Sequence, residues 1–189
     1  RRHASAQRPH EAALARQQAA LADHAATIGV TDSIKKLRTL RAARTTLFSQ
    51  ALPVMMPTVT RTETFWRTNV LPGYLARPDV SDGPAPLVVV LNGSSTSKEE
   101  TLLWIGPLLK QGLAVLCLDW PGTGEAALEL DITADCDDFT DGVIALARDD
   151  PDLDENRVVL LGFSLGGALA VKSAVADRRI AAVITVTAP

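Results

Sequence analysis

Residues 157–171 read Arg157-Val-Val-Leu-Leu-Gly-Phe-Ser-Leu-Gly-Gly-Ala-Leu-Ala-Val171. Four apolar residues, Val158 to Leu161, run straight into Gly162-Phe163-Ser164-Leu165-Gly166, and a small-residue helical pattern follows at once. The pattern predicts a buried parallel strand, a sharp turn and a helix, with Ser164 at the apex. A serine in such an elbow sits in strained backbone. Glycines at 162 and 166 leave room where a Cβ would collide with the neighbouring strand or helix. The turn points the Ser164 hydroxyl out of the sheet and aims the Leu165 N–H, at the helix N-terminus, at a developing oxyanion. The blander account is an ordinary strand-to-helix turn with an incidental serine. The context argues for the elbow, as do Gly167 and Ala168, which allow close helix–sheet packing.

On either side the same alternation continues. Ile180 to Val186 is a further apolar strand, and Leu87-Val-Val-Val-Leu91 is another, running into Asn92-Gly93-Ser94-Ser95. A helix is predicted over about Lys98 to Gln111, closed by Gly112; Thr96 and Ser97, each followed three places on by a glutamate, offer two capping boxes. Leu113 to Leu118 is a buried strand ending at Asp119-Trp-Pro-Gly-Thr-Gly-Glu125. Residues 126–132 read as a loop. Thr133 or Asp135 can cap a helix through Arg148, with Cys136, Phe139, Val143 and Leu146 on one face. The acidic stretch 149–156 reads as a solvated turn. Ahead of the first apolar strand, Thr58 to Trp66 and Val70 to Ala76 predict an antiparallel hairpin at a sheet edge, where Pro72 is tolerated. Strands alternating with amphipathic helices give an α/β fold, a mostly parallel sheet covered on both faces.

Residues 1–57 differ, and predict a helical arm ahead of a core over 58–189. Residues 1–10 are polar and expected to be frayed. Glu11 to Thr27 predicts a helix ended by Gly29, and Thr31-Asp32-Ser33 a cap for a second helix through about Gln50. The inward face of that helix would be Ile34, Leu37, Leu40 or the stem of Arg41, the stem of Arg44, Leu47 and Phe48, and Pro53 and Pro57 close the arm. His3, His10 and His24 have no partners at metal spacing, so they read as surface residues and no metal is expected.

With 189 residues, 47% of them hydrophobic, the chain can bury one sizeable core. A net charge of −3 gives no global pull toward nucleic acid, though residues 1–50 hold nine Lys/Arg against three Asp/Glu and 51–189 hold ten against nineteen. Arm and body could pack on each other; an anionic partner for the arm is the less favoured alternative. Cys117 and Cys136 offer no disulfide framework and read as buried thiols. No secretory h-region and no 18-residue apolar run occurs in this sequence, so no membrane contact and a cytoplasmic location are expected. The chain opens on Arg1-Arg2 and stops at Val186-Thr-Ala-Pro189, where a strand should hand over to a loop. It is therefore expected to be the N-terminal part of a longer protein.

Three sites in order carry a resemblance: Asn92-Gly93-Ser94-Ser95, Asp119-Trp-Pro-Gly-Thr-Gly124 and the Ser164 elbow. Together they make residues 58–189 resemble the α/β-hydrolase family. Residues Ser95-Thr-Ser-Lys-Glu-Glu100 and the helical arm resemble its FrsA-like group, which includes 2,6-dihydroxypseudooxynicotine hydrolase and related carbon–carbon bond hydrolases. Asn92 stands where many members carry His, and Ser94-Ser95 departs from the group's more usual Gly-Leu-Asp. The resemblance implies that Ser164 is a nucleophile forming an acyl-enzyme, with the backbone N–H of Leu165 and of Ser94 (or Ser95) as oxyanion donors. It also implies a small-molecule substrate, an arm that covers the pocket, and no cofactor.

Glu99 and Glu100 could serve as acid or base, but helix capping is the plainer account, and Asp119 reads as a backbone-bonding turn residue. The family's order is Ser, then Asp or Glu, then His. No histidine follows Ser164 here, and Asp177, at the end of the helix after the elbow, does not fit the acid role. A serine without a base is a poor nucleophile, so this stretch alone is expected to be inactive, the acid and His lying beyond Pro189. The expected activity is hydrolysis of an ester, or of a ketone by carbon–carbon cleavage. The alternatives are a prolyl-oligopeptidase-like peptidase, a transferase, lyase or thioesterase on the same fold, and a non-catalytic binding or regulatory protein. The amphipathic arm leaves room for a homodimer.

Overall fold

The computed structural model describes residues 2–30, 33–79, 83–133 and 135–188, with side chains from residue 8 onward. Two compact units result, Arg1–Val59 and Thr60–Pro189.

In the first unit, α1 (Arg2–Ile28) and α2 (Ile34–Met55) pack on each other. Residues 2–10 are helical rather than frayed. Ala4, Ala6, Gln7 and Arg8 are good helix formers, and once a helix exists each added residue brings one hydrogen bond. That gain carries α1 back past Pro9. Ser33 caps α2, its Oγ accepting from Lys36 N at 3.2 Å; Thr31 and Asp32 lie outside the described residues. Beyond Gln50, α2 continues through Pro53, which forgoes one backbone bond close to the helix end. The buried face is Arg44, Phe48, Ala51 and Leu52, shifted along α2 from the face expected, and Ile34 is 76% exposed. His24 is buried, not at the surface. Its Nδ1 lies 3.2 Å from Nη1 of Arg44, so packing of α1 on α2 brings two polar side chains together that neither helix reveals alone. His10 is exposed.

In the second unit six strands form one sheet: β1 (Val59–Trp66), β2 (Asn69–Ala76), β3 (Ala85–Leu91), β4 (Ala114–Leu118), β5 (Leu153–Phe163) and β6 (Ile180–Val186). The order is β1-β2-β4-β3-β5-β6. β2 runs antiparallel to β4, whereas β4, β3, β5 and β6 are parallel neighbours. The α/β expectation is met, with the β1–β2 segment at one edge. The apolar runs form the core: Leu87, Val89, Leu91, Leu116, Leu118, Val158 and Leu160 are buried together with Phe139 and Val143.

Three local expectations fail for physical reasons. The helix expected over Lys98–Gln111 is broken into α3 (Lys98–Thr101), a 3-10 turn (Leu102–Trp104) and α4 (Gly106–Leu109). Pro107 has no N–H to donate back and restricts Gly106 before it. β5 begins at Leu153, inside the acidic stretch expected as a turn, because Leu153 and Asp154 pair with Ala85 and Pro86 before the register shifts to Leu87↔Val158. The helix expected from Thr133 or Asp135 starts later: a 3-10 turn (Asp137–Phe139) leads into α5 (Thr140–Asp149), with Ile144 and Ala147 buried and Leu146 only partly so. A short 3-10 turn (Ala126–Leu128) also lies in the expected loop. Among the described residues no helix is long and apolar enough to cross a membrane.

Candidate active site

β5 delivers its chain to α6 (Leu165–Ala176) through one residue, Ser164, at φ 50° and ψ −122°. A non-glycine residue there costs on the order of 1–3 kcal/mol, so the surroundings must hold it. They do so through backbone: Ser164 N donates to Val186 O at 2.9 Å, and Gly167 N donates to Ser164 O at 2.8 Å. The glycines are steric requirements. A Cβ on Gly162 would overlap Gly166 O, and one on Gly166 would lie 2.5 Å from Asn92 O and closer still to Leu91 O. Ser164 itself is exposed.

The loop after β3 lies against this elbow. A Cβ on Gly93 would stand 3.4 Å from Ser164 Cβ and 3.5 Å from Phe163 O. Asn92 folds the loop over: its Nδ2 donates to Thr96 O at 2.6 Å and Gly93 O at 3.2 Å. Trp120 Nε1 donates to Asn92 O at 2.9 Å. Ser94 and Ser95 follow in sequence and are exposed. The structure thus brings together the loop carrying Ser94, the Ser164 turn and the first residue of α6, Leu165.

Beneath the loop lies a charged cluster that sequence reasoning missed. Lys98 is wholly buried, and its Nζ donates to Glu99 Oε1 (2.7 Å), Asp119 Oδ2 (2.9 Å) and Glu125 Oε2 (2.7 Å). Arg61 closes the far side with a bidentate pair on Glu125, at 2.6 and 2.9 Å, and Nζ sits 5.3 Å from the centroid of the Tyr74 ring. Burial alone would lower the Lys98 pKa, but Asp119, Glu99 and Glu125 outweigh it and hold the ammonium above its ordinary value. Burial likewise pushes Glu125 up, and Arg61 and Lys98 more than reverse it. Glu99 is therefore a buried ion-pair partner and not a capping residue. Ser97 makes no side-chain cap bond to α3; the carboxylate of Asp119 takes that place. Asp119 bonds backbone as expected, accepting from Lys98 N and Glu125 N, each at 2.8 Å.

Burial also raises Cys117, to about 12, against a weaker opposing hydrogen bond from Thr101. It raises Tyr74 to about 12 as well, helped by Glu99. Both groups are neutral when folded, so their contribution is complete below the unfolded values of 9.0 and 10.0 and is lost as pH climbs toward 12. The raised Lys98 acts in the same direction. Urea midpoints should therefore hold from neutrality to about pH 9 and fall steadily above it, the onset moving higher in Cys117→Ala; a midpoint flat to about pH 12 would contradict the burial argument.

Beside Leu165 is an apolar pocket of ≈300 Å³, lined by Trp120, Ile132, Thr133, Leu165, Leu169 and Lys172 among others. Asp177 is engaged elsewhere: Arg179, bonding its carboxylate, holds it down to about 2. Among the described residues no group of three or more His, Cys, Asp or Glu could hold a metal ion.

A model described as "Alpha/beta hydrolase family" matches residues 88–189. The chain is 32% identical over 145 residues to a 2,6-dihydropseudooxynicotine hydrolase of Paenarthrobacter nicotinovorans, covering 77% of this chain and 39% of that protein. It is 34% identical over 142 residues to a polyketide transferase of Stachybotrys chlorohalonatus, covering 71% and 46%. The crystal structure of the 2,6-dihydroxy-pseudo-oxynicotine hydrolase superposes with a TM-score of 0.82 at 28% identity, over 95% of this chain and 50% of that one. The chain therefore spans half or less of the length of these relatives.

Proposed function

Because the chain belongs to the alpha/beta hydrolase family, we propose that its protein is a serine hydrolase acting through an acyl-enzyme on a small-molecule ester, or on a ketone by carbon–carbon cleavage. The observation that carries this reading is Ser164, exposed at φ 50° between β5 and α6. Its Oγ attacks the carbonyl carbon and gives its proton to a histidine. The carbonyl oxygen becomes an oxyanion held by the N–H groups of Leu165 and Ser94 (or Ser95). The tetrahedral intermediate collapses by expelling an alcohol, or a carbanion from a ketone, which takes up that proton. Water then cleaves the acyl–Oγ bond and restores the serine. No histidine follows Ser164 in these 189 residues, so the base and its carboxylate partner are assigned to residues outside them. The apolar pocket beside Leu165 would take an apolar part of the substrate.

The likeness to a polyketide transferase supports a second reading, in which an acceptor other than water resolves the same acyl-enzyme. Both readings require a nucleophilic serine. A fluorophosphonate should label the complete protein once, on the peptide holding Ser164, and Ser164→Ala should remove the label. A folded complete protein that resists labelling would leave the non-catalytic reading in first place.

A further inference from the structure

We infer that Lys98 is a positioning residue for the oxyanion-binding loop, acting through Asp119 and the first turn of α3; the inference rests on the hydrolase reading above. The loop 93–97 is tied at both ends. At its start, Asn92 bonds across it to Gly93 O and Thr96 O. At its end comes Lys98, which Asp119 grips twice: Oδ1 accepts the backbone N–H at 2.8 Å and Oδ2 accepts Nζ at 2.9 Å. The same carboxylate accepts Glu125 N at 2.8 Å. One side chain at the end of β4 thus orients the residue that follows the loop by both main chain and side chain.

Nζ uses its three donors on three carboxylates, Glu99, Asp119 and Glu125. Stability alone does not call for such a cluster, because well-packed apolar side chains of similar volume often stabilise as much or more. What the ions add is direction. Their fixed donor–acceptor geometry sets the rotation of α3 and so the path of residues 93–97 against the elbow. An oxyanion donor has to be held within about 0.5 Å of its place. Arg61 extends the frame, fixing the Glu125 carboxylate from β1.

The test uses diethyl fluorophosphate and its thiono counterpart on the complete protein. Ser164 Oγ would bond to phosphorus, fluoride would leave, and the serine proton would pass to the base. Phosphoryl oxygen, unlike sulfur, takes strong hydrogen bonds from the oxyanion donors. The ratio of maximal labelling rates, oxo over thiono, therefore reports how well those donors are aimed. Lys98→Met should lower the maximal oxo rate by about 10- to 100-fold and the thiono rate far less, with the half-saturating concentration nearly unchanged. Since Lys98→Met strands three carboxylates and endangers the fold, Glu125→Gln, at a side chain 18% exposed, carries the same test in a milder form. It should lower the ratio in the same direction by about three- to tenfold. Folded variants that keep the wild-type ratio, whatever their absolute rates, would reduce the cluster to a structural role and overturn the inference. A wild type that neither reagent labels would instead remove the hydrolase reading, and this inference with it.

Discussion

Ser164→Gly is expected to give a protein about 1 kcal/mol more stable than the wild type and catalytically silent. The serine is held at φ 50° and ψ −122°, and a Cβ in that region costs on the order of 1–3 kcal/mol. Glycine removes the Cβ and the strain. It also frees the unfolded chain, which returns roughly 0.4–1 kcal/mol of the gain. Ser164→Ala separates the two effects. Alanine keeps the Cβ, so its stability should match the wild type, while under the proposed acyl-enzyme mechanism turnover should fall by about 10⁴–10⁶-fold. Urea denaturation and hydrolysis assays on the complete protein read both quantities. A glycine variant no more stable than the alanine variant would show that the strain does not exceed the roughly 0.4–1 kcal/mol returned to the unfolded chain, short of the cost expected here.

The second large effect runs against ordinary helix propensity. In an exposed helix interior Gly→Ala stabilises by about 1 kcal/mol. Gly166→Ala, on the first turn of α6, should do the opposite and destabilise by at least about 3 kcal/mol. The new Cβ would stand 2.5 Å from Asn92 O and closer still to Leu91 O. Both atoms are backbone at the end of β3, so no side chain can swing aside. The strand end would have to move, taking Gly93 and the loop beyond it away from Ser164. Residual soluble protein should therefore be slow as well as unstable. Normal stability in this variant, measured by thermal or urea unfolding, would mean that the helix can pull back from β3 without loss.

These glycines explain why the elbow was legible in sequence. Residues 158–161 are apolar because β5 is paired on both sides, with β3 and β6. Gly162 is dictated by a contact four residues away, and Gly166 by the packing of α6 on the end of β3. The cluster under the loop was not legible. A lysine followed by two glutamates, Lys98-Glu99-Glu100, looks like a solvated helix start. Its burial depends on Asp119 and Glu125, which only the β3–β4 pairing brings close. His24 and Arg44 are hidden in the same way, meeting only when α1 packs on α2. The broken helix after Lys98 does carry a local signal, Gly106-Pro107. The early start of β5 has no such signal, because Leu153 is a single apolar residue in an acidic stretch and is recruited by Ala85.

Trp120 gives the site an intrinsic optical reporter. Of the three tryptophans, Trp66 is buried and bonded to Asp138, Trp104 is 48% exposed, and Trp120 is buried with its indole N–H on Asn92 O while also lining the apolar pocket. Within these 189 residues, a polar collisional quencher that silences Trp104 leaves two sheltered indoles, only one of which touches the loop. Movement of that loop, or the arrival of an apolar group in the pocket, would change the polarity and hydrogen bonding around that one chromophore. The fold therefore lets the state of the loop after β3 be followed by light, with no dye attached.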